Sequence, residues 1–283
     1  MASLAPSAEL LRRRIAGEVV AFFNDKEKGQ RPVVSSDQAL MPRGSVAWRV
    51  HGDVTSMMVG GIAALLLQML HPKALAGVWD HSDFQKNMHG RLRNTARFIA
   101  VTTYGHRDEA EAAIARVRRI HDHVNGTLPD GTPYDANDPR LLAWVHVAGS
   151  AMFLDAWVRF GEPAMSSEDR DAYWRDVAPM AQLLGADPVP QSSEEAAELL
   201  RSFLPELRQD DRTLTIRNII LRNTPDKLRI LPVQALLMQS AVDLLPQWAR
   251  RMHGLRSSGL TRPAIGAVTL GLAGTLRWAL SPR

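Results

Sequence analysis

Histidine and arginine carry most of the chemistry open to this chain, which has nine histidines and no cysteine. His121 lies in a stretch, 108–125, where Ile114, Val117, Ile120 and Val124 recur at helical spacing. At about 100° per residue, His121 falls inside that stripe beside Ile114 and Val117. His123 points nearly the opposite way, toward water. His146 is placed similarly, because Leu142, Ser150, Phe153 and Trp157 lie on its side of the stretch 139–161. An inward imidazole is either a hydrogen-bonded packing residue or a metal ligand. Two of them on successive helices favour a haem or metal pocket, since the intervening loop can bring the helices together.

A third group lies just upstream. Arg91, Thr95, Phe98 and Thr102 share one helical face within about 60°, and Arg93 and Arg97 form a second, more solvated row. Buried polar groups are costly without partners. An Arg and two Thr beside a Phe therefore point into a cavity, unless the face is simply exposed. Arg meets carboxylates with paired donors, so Arg91 suits the propionates of a haem and Thr95 suits a hydrogen bond to iron-bound oxygen. The loop 71–90 adds Trp79 and Phe84 as walls for a flat cofactor. His81 or Ser82 reads as a cap for a short helix at 83–88, and no metal role is assigned to His81 or His89.

What is missing narrows the chemistry further. Without cysteine there are no disulfides, iron–sulfur clusters, zinc thiolates or thiolate-bound haem, and no c-type attachment. The chain has no Gly-rich phosphate loop, nucleophile elbow, zinc helix or Glu-x-x-His pair. The formal charge is +4 and acidic residues are interleaved with basic ones. With no basic stripe or aromatic platform, nucleic acid is not an expected partner.

The elements that must position these residues are helices. Periodicity predicts them at about 7–25, 54–70, 73–80, 91–104, 107–125, 138–161, 167–184, 193–209, 226–244 and 260–280. His71-Pro72 ends the second, Gly105 follows the fourth, and Gly126 reads as the glycine just past the fifth. Asn137 or Asp138 before Pro139 caps the sixth. Ser166 and Ser192 open capping boxes. Pro129-Asp130-Gly131 is a turn, and no strand is expected. The class is all-α, a single globular helical domain. It divides into an N-terminal helix and lead-in at 1–44, the main helical body at 45–255, and an apolar C-terminal helix at 256–283 packed on it. The N-terminus does not read as a secretory signal. Residues 54–70 and 264–280 are too short or too interrupted to span a bilayer. The expectation is a cytoplasmic protein, with peripheral membrane contact through the C-terminal helix as the one membrane reading.

The motifs together resemble a family. LLLQMLHP at 65–72, GVWDHSDF at 77–84, GRLRNTARF at 90–98, VRRIHDHVNG at 117–126, GTPYDANDPRLLAWVH at 131–146 and LLGAD at 183–187 follow in order. They are similar to the oxygenase family that contains the latex-clearing rubber oxygenase and the mycophenolic-acid pathway oxygenase. The resemblance covers about residues 45–250. It implies a globin-like helical core around a b-type haem whose iron is held by a proximal histidine. The family's H-x-x-V-x-G stretch lands on His121, Val124 and Gly126, and its Arg-x-x-x-Thr pattern lands on Arg91 and Thr95. In the rubber-cleaving branch a Lys commonly precedes that Thr. Asn94 stands there instead, which argues against polyisoprene as substrate.

The sequence thus reads as a haem b-dependent oxygenase that acts with dioxygen on a hydrophobic small molecule. The iron ligand is His121. His146, Arg91 and Phe98 are further cofactor contacts, and Arg91 and Thr95 are the catalytic candidates. Met57, Met58, Leu66, Phe98 and Phe153 are candidate substrate walls. The alternatives are a haem-binding sensor or carrier without turnover, which a second ligand from His146 would favour, and a purely structural helical domain. Oligomeric state and substrate identity are not encoded in any motif.

Overall fold

The computed structural model describes residues 5–23, 30–84, 87–222 and 231–281. Two long helices form its centre, α3 (Val54–Gln68) and α7 (Pro139–Phe160). Each is set by its cap. Asp53 accepts the Ser56 amide at 2.8 Å to start α3. Asp138 accepts the Arg140 and Leu141 amides at 2.9 and 3.3 Å to start α7, with Pro139 at its first position. The two helices meet with almost no space between backbones. A Cβ placed on Gly60 would lie 2.8 Å from the Met152 carbonyl oxygen and 3.0 Å from Phe153, so only glycine permits this approach.

The other helices wrap this pair. In chain order they are α1 (Ala5–Phe23), α2 (Val46–His51), α4 (Pro72–His81), α5 (Met88–Tyr104), α6 (Arg107–His121), α8 (Ser167–Leu184), α9 (Ser193–Ser202), α10 (Asp211–Arg222), α11 (Leu231–Leu244), α12 (Gln247–Met252) and α13 (Arg262–Leu280). One core runs through the bundle, with Trp144, Phe160, Tyr173, Phe203, Leu66 and Leu67 fully buried. Each large apolar side chain of that kind contributes about 1.5–3 kcal/mol. Trp144 satisfies its indole N–H on the Gln68 carbonyl at 3.1 Å. α7 is long and apolar enough to cross a membrane, but two thirds of it is buried among its neighbours, as in a core helix.

α13 docks through small residues, Thr269, Ala273 and Ala279. Its Arg277 donates to the buried Asp53 carboxylate and to the Phe160 carbonyl, both at 2.7 Å. The opposite face leaves Val268, Leu270 and Trp278 exposed.

The all-helical class is as expected, and so are the caps at Asp138, Ser166 and Ser192. Several details differ. Pro72 opens α4 behind a His71 cap, so His71-Pro72 is a start as well as a stop. The helices α2, α10 and α12 were not expected: two of them have only six residues, and the cap of α10, where Asp210 accepts the Thr213 amide at 2.8 Å, was missed in the sequence. Residues 125–127 and 133–135 pair as β1 (Asn125–Thr127) and β2 (Pro133–Asp135), an antiparallel hairpin in which Gly126 opposes Tyr134. The Pro129-Asp130-Gly131 turn closes it, with Gly131 in the left-handed region at φ 87°. The fifth expected helix therefore stops at His121, and Gly126 is no helix cap. Its bare backbone makes room for the Tyr134 ring, whose hydroxyl would sit 2.8 Å from a Cβ. The end of the first expected helix, part of the one at 83–88 and the start of the one at 226–244 lie outside the described residues.

Candidate active site

α5 and α6 form an antiparallel helical hairpin joined at Gly105 and His106. Arg91 lies fifteen residues before His106 and His121 fifteen after it. With the same rise on both arms, the two residues stand level at the open end. The same arithmetic pairs Phe98 with Ile114, which share a small apolar cluster with Leu40 and Ala110. The His106 side chain sets the turn by accepting the Asp108 amide at 3.2 Å, and Ala39 bridges its backbone.

His121 is half-buried. Its pKa is lowered by burial first and by the Arg91 charge second, while Asn137, Asp135 and Asp122 pull the other way. The ring is therefore neutral near pH 7, the form that binds metals. Its Nδ1 is buried and finds no hydrogen-bond partner among the described residues. Asn137 supplies the match. Its amide nitrogen is used up on Asp122 Oδ1 at 2.7 Å and the Arg118 carbonyl at 3.4 Å, and its Oδ1 is buried and unsatisfied. Both atoms are thus left without a partner among the described residues, and the Asn137 side chain acts on the His121 ring. Arg91, also half-buried, has its pKa lowered by burial and lies 5.9 Å from the centre of the Phe84 ring.

The rest of the expected face is only partly as read. Thr95 and Asn94 are exposed, and Phe98 is half-buried. Thr102 is buried but donates to the Phe98 and Ile99 carbonyls of its own helix at 2.9 and 3.2 Å, so its hydroxyl serves no cavity. Ile120 is 53% exposed and drops out of the apolar stripe. His123 faces water, as expected.

His146 belongs to a different cluster. It is buried on α7 with Ser150 Oγ 3.5 Å from Nδ1 and the Trp174 ring edge-on to it. Among the described residues its Nε2 has no partner, and burial takes its pKa down to about 4. Ser150 and Trp174 are not among the groups that act on His121, and α8 packs against both α6 and α7. Next along this polar seam is His51, which sequence reasoning passed over because it ends the six-residue helix α2. Its Nδ1 lies 2.8 Å from Thr103 Oγ1 and its Nε2 3.1 Å from the Tyr173 hydroxyl. Burial lowers its pKa to about 4, so the neutral ring donates through one nitrogen and accepts through the other.

The loop 71–90 is tied elsewhere. His71 lies between Trp144 and Phe203, with Nε2 3.4 Å from Glu206. His81 Nε2 is 3.1 Å from both the Asn125 carbonyl and the Tyr134 hydroxyl, and Tyr134 donates to Asp80 at 2.9 Å. Arg212 covers the half-buried Trp79. The His89 side chain lies outside the described residues. Of the candidate walls, Met57, Met58 and Phe153 are half-buried, whereas Leu66 is sealed in the core.

Two surface depressions of about 450 Å³ each are formed elsewhere, one beside Arg159 and Arg262 and the other beside Gln38 and His106. Among the described residues no group of three acidic or histidine side chains could hold a bare metal ion. The donor set at His121 is instead that of a single neutral imidazole with an arginine opposite. It suits a planar metal cofactor that brings its own equatorial ligands and carries acidic side groups.

No curated protein and no solved structure gives a significant match to the chain. A family model does, over residues 48–278, described as the catalytic domain of ER-bound oxygenase mpaB/B'/rubber oxygenase. The match spans most of the chain, including both arms of the α5–α6 hairpin and the whole α3–α7 centre. The chain therefore belongs to the mpaB and rubber oxygenase catalytic-domain family, and it is an enzyme of the oxygenase class.

Proposed function

We propose that the chain is a haem b-dependent oxygenase for a hydrophobic small molecule, with His121 as the proximal iron ligand. The observation that carries this reading is the setting of His121: a neutral imidazole beside the Arg91 charge, with its buried Nδ1 and the Asn137 Oδ1 both unsatisfied among the described residues. In this reading Nδ1–H would turn to the Asn137 Oδ1 when the cofactor is bound, which would fix the tautomer and raise the basicity of Nε2, the nitrogen left for iron. Bound haem would supply the dioxygen chemistry, while the chain supplies orientation, polarity and exclusion of water.

Each remaining residue has a role in keeping with its setting. The Arg91 guanidinium meets a carboxylate with paired donors, which suits a haem propionate. The Thr95 hydroxyl, on the same face, offers a single hydrogen-bond donor. The half-buried Phe98, Met57, Met58 and Phe153 are the apolar side chains this reading assigns to an oil-soluble substrate. A neutral Asn94 in place of lysine leaves no amine to compete for the iron.

The test is a spectrum followed by turnover. The purified protein, reconstituted with haem, is expected to show a Soret band at about one haem per chain and to consume oxygen with lipid or terpenoid alkenes. A protein that rejects haem would remove the cofactor from this reading. One that binds haem and leaves every such substrate untouched would remove the turnover.

A further inference from the structure

A second site lies where the end of α7 meets the start of α13. Arg159, Phe160, Gly259, Arg262, Gly266 and Leu270 are among the residues that line a depression of about 450 Å³ there. Its floor is cationic. Arg159, Arg250 and Arg262 all donate to one backbone carbonyl, that of Asp243, at 3.2, 3.4 and 3.1 Å. The Asp243 carboxylate, one charge against three guanidinium groups, offsets them only in part. It is occupied by Ser257, by Gln239 and by both the amide and hydroxyl of Ser258. Among the described residues none of the three arginines forms an ion pair with a carboxylate. Burial first, and next the Arg262 charge, lower the pKa of Arg159; Asp243 pulls the other way and Arg250 adds to the lowering. Such clustering costs free energy unless an anion offsets it.

The wall is apolar. Gly266 and Leu270 continue the ridge that starts at Arg262, and Leu270 is 42% exposed. Beyond it, Val268 and Trp278 are exposed on the same helix, and no acidic residue occurs between Arg262 and Leu280. Two guanidinium groups that open onto an apolar ridge match one ligand chemistry, an acidic head joined to a hydrocarbon chain.

We infer that this depression binds an anionic amphiphile, with its carboxylate or phosphate on Arg159 and Arg262 and its chain along Gly266 and Leu270 of α13. The site is separate from the α5–α6 hairpin and shares no residue with it. The amphiphile comes either free from solution or as a headgroup in a lipid surface, and the chemistry of recognition is the same for both.

Calorimetry on the full chain tests this with laurate, laurate methyl ester and vesicles of phosphatidylcholine with or without phosphatidylglycerol. The probes are applied to the native protein, R262Q and L270D. Laurate is expected to bind at least about tenfold tighter than its ester, since a charge-assisted pair is lost in the ester. R262Q is expected to remove that preference, and L270D to weaken laurate by a similar factor, both with unchanged thermal midpoints. Tight binding of phosphatidylglycerol vesicles without binding of laurate, again lost in R262Q, would assign the site to a membrane headgroup. Equal affinity for acid and ester, or binding of all probes that is indifferent to R262Q and L270D, would overturn the inference.

Discussion

Arg91 and His121 stand opposite each other at the open end of the α5–α6 hairpin, and the guanidinium charge helps keep the imidazole unprotonated. The pairing has a direct consequence for titration. In R91Q the Coulomb penalty disappears, so the His121 pKa is expected to rise, whereas R91K keeps the charge and holds it down. The ring proton signals of His121 followed by NMR against pH decide the matter. Identical titration in the native protein and R91Q would show that the charge is not felt at the ring.

The iron ligand is predicted to separate cleanly from its neighbour. H121A is expected to lose haem retention, while H123A, altered at an exposed position, retains it. N137A is expected to lie between them. Loss of a hydrogen bond behind a metal-binding histidine typically lowers affinity by roughly 10–100-fold. The Soret absorbance per chain after gel filtration reads all three variants. Full haem in H121A would assign the iron elsewhere.

Acid should weaken the fold through the core histidines. In the unfolded chain His51 and His146 bind protons below their ordinary value of 6.5, but in the folded chain only near about 4. Between those values the unfolded state holds more protons, so stability falls as pH falls. Each histidine accounts for on the order of 3 kcal/mol across that window. Asp155 acts in the opposite sense. The surrounding protein raises its carboxyl to about 6, but its side chain keeps access to solvent, which reduces its weight. Urea unfolding between pH 7 and 4.5 is expected to show declining stability, with a shallower slope in H146L. A flat profile would contradict the assignment.

The α3–α7 contact predicts a packing cost. G60A introduces a methyl group 2.8 Å from the Met152 carbonyl oxygen, and backbone on both sides leaves it no room. A loss of about 1–3 kcal/mol is expected from overpacking. G266A, where a Cβ meets nothing within 4 Å, serves as the control and should be neutral or slightly stabilising. Equal thermal midpoints for the two variants would rule out the close approach.

Much of this site was legible in the order of residues. The caps at Asp138, Ser166 and Ser192 are local, because a side chain reaches an amide two or three residues on, and each appears as read. The level pairing of Arg91 with His121 follows from equal arm lengths about one turn. Exposure of His123 follows from helical phase. His146 went differently. Its phase indicated an inward ring, and inward it is, but phase does not say which neighbour lies there. Asn137 was read at most as a cap, since nothing local shows that its amide oxygen would be left unsatisfied beside a histidine.

What the sequence by itself determined is therefore the helical class, the family and the short-range geometry, because hydrophobic period, capping and hairpin length act within a few turns of chain. Only the tertiary structure decided that His146 meets the edge of Trp174, that Thr102 turns back on its own helix, and that Arg277 reaches the Asp53 carboxylate from 224 residues away. Those choices depend on which faces meet when the bundle closes. The burial of whole helices sets that, and no single residue's spacing records it.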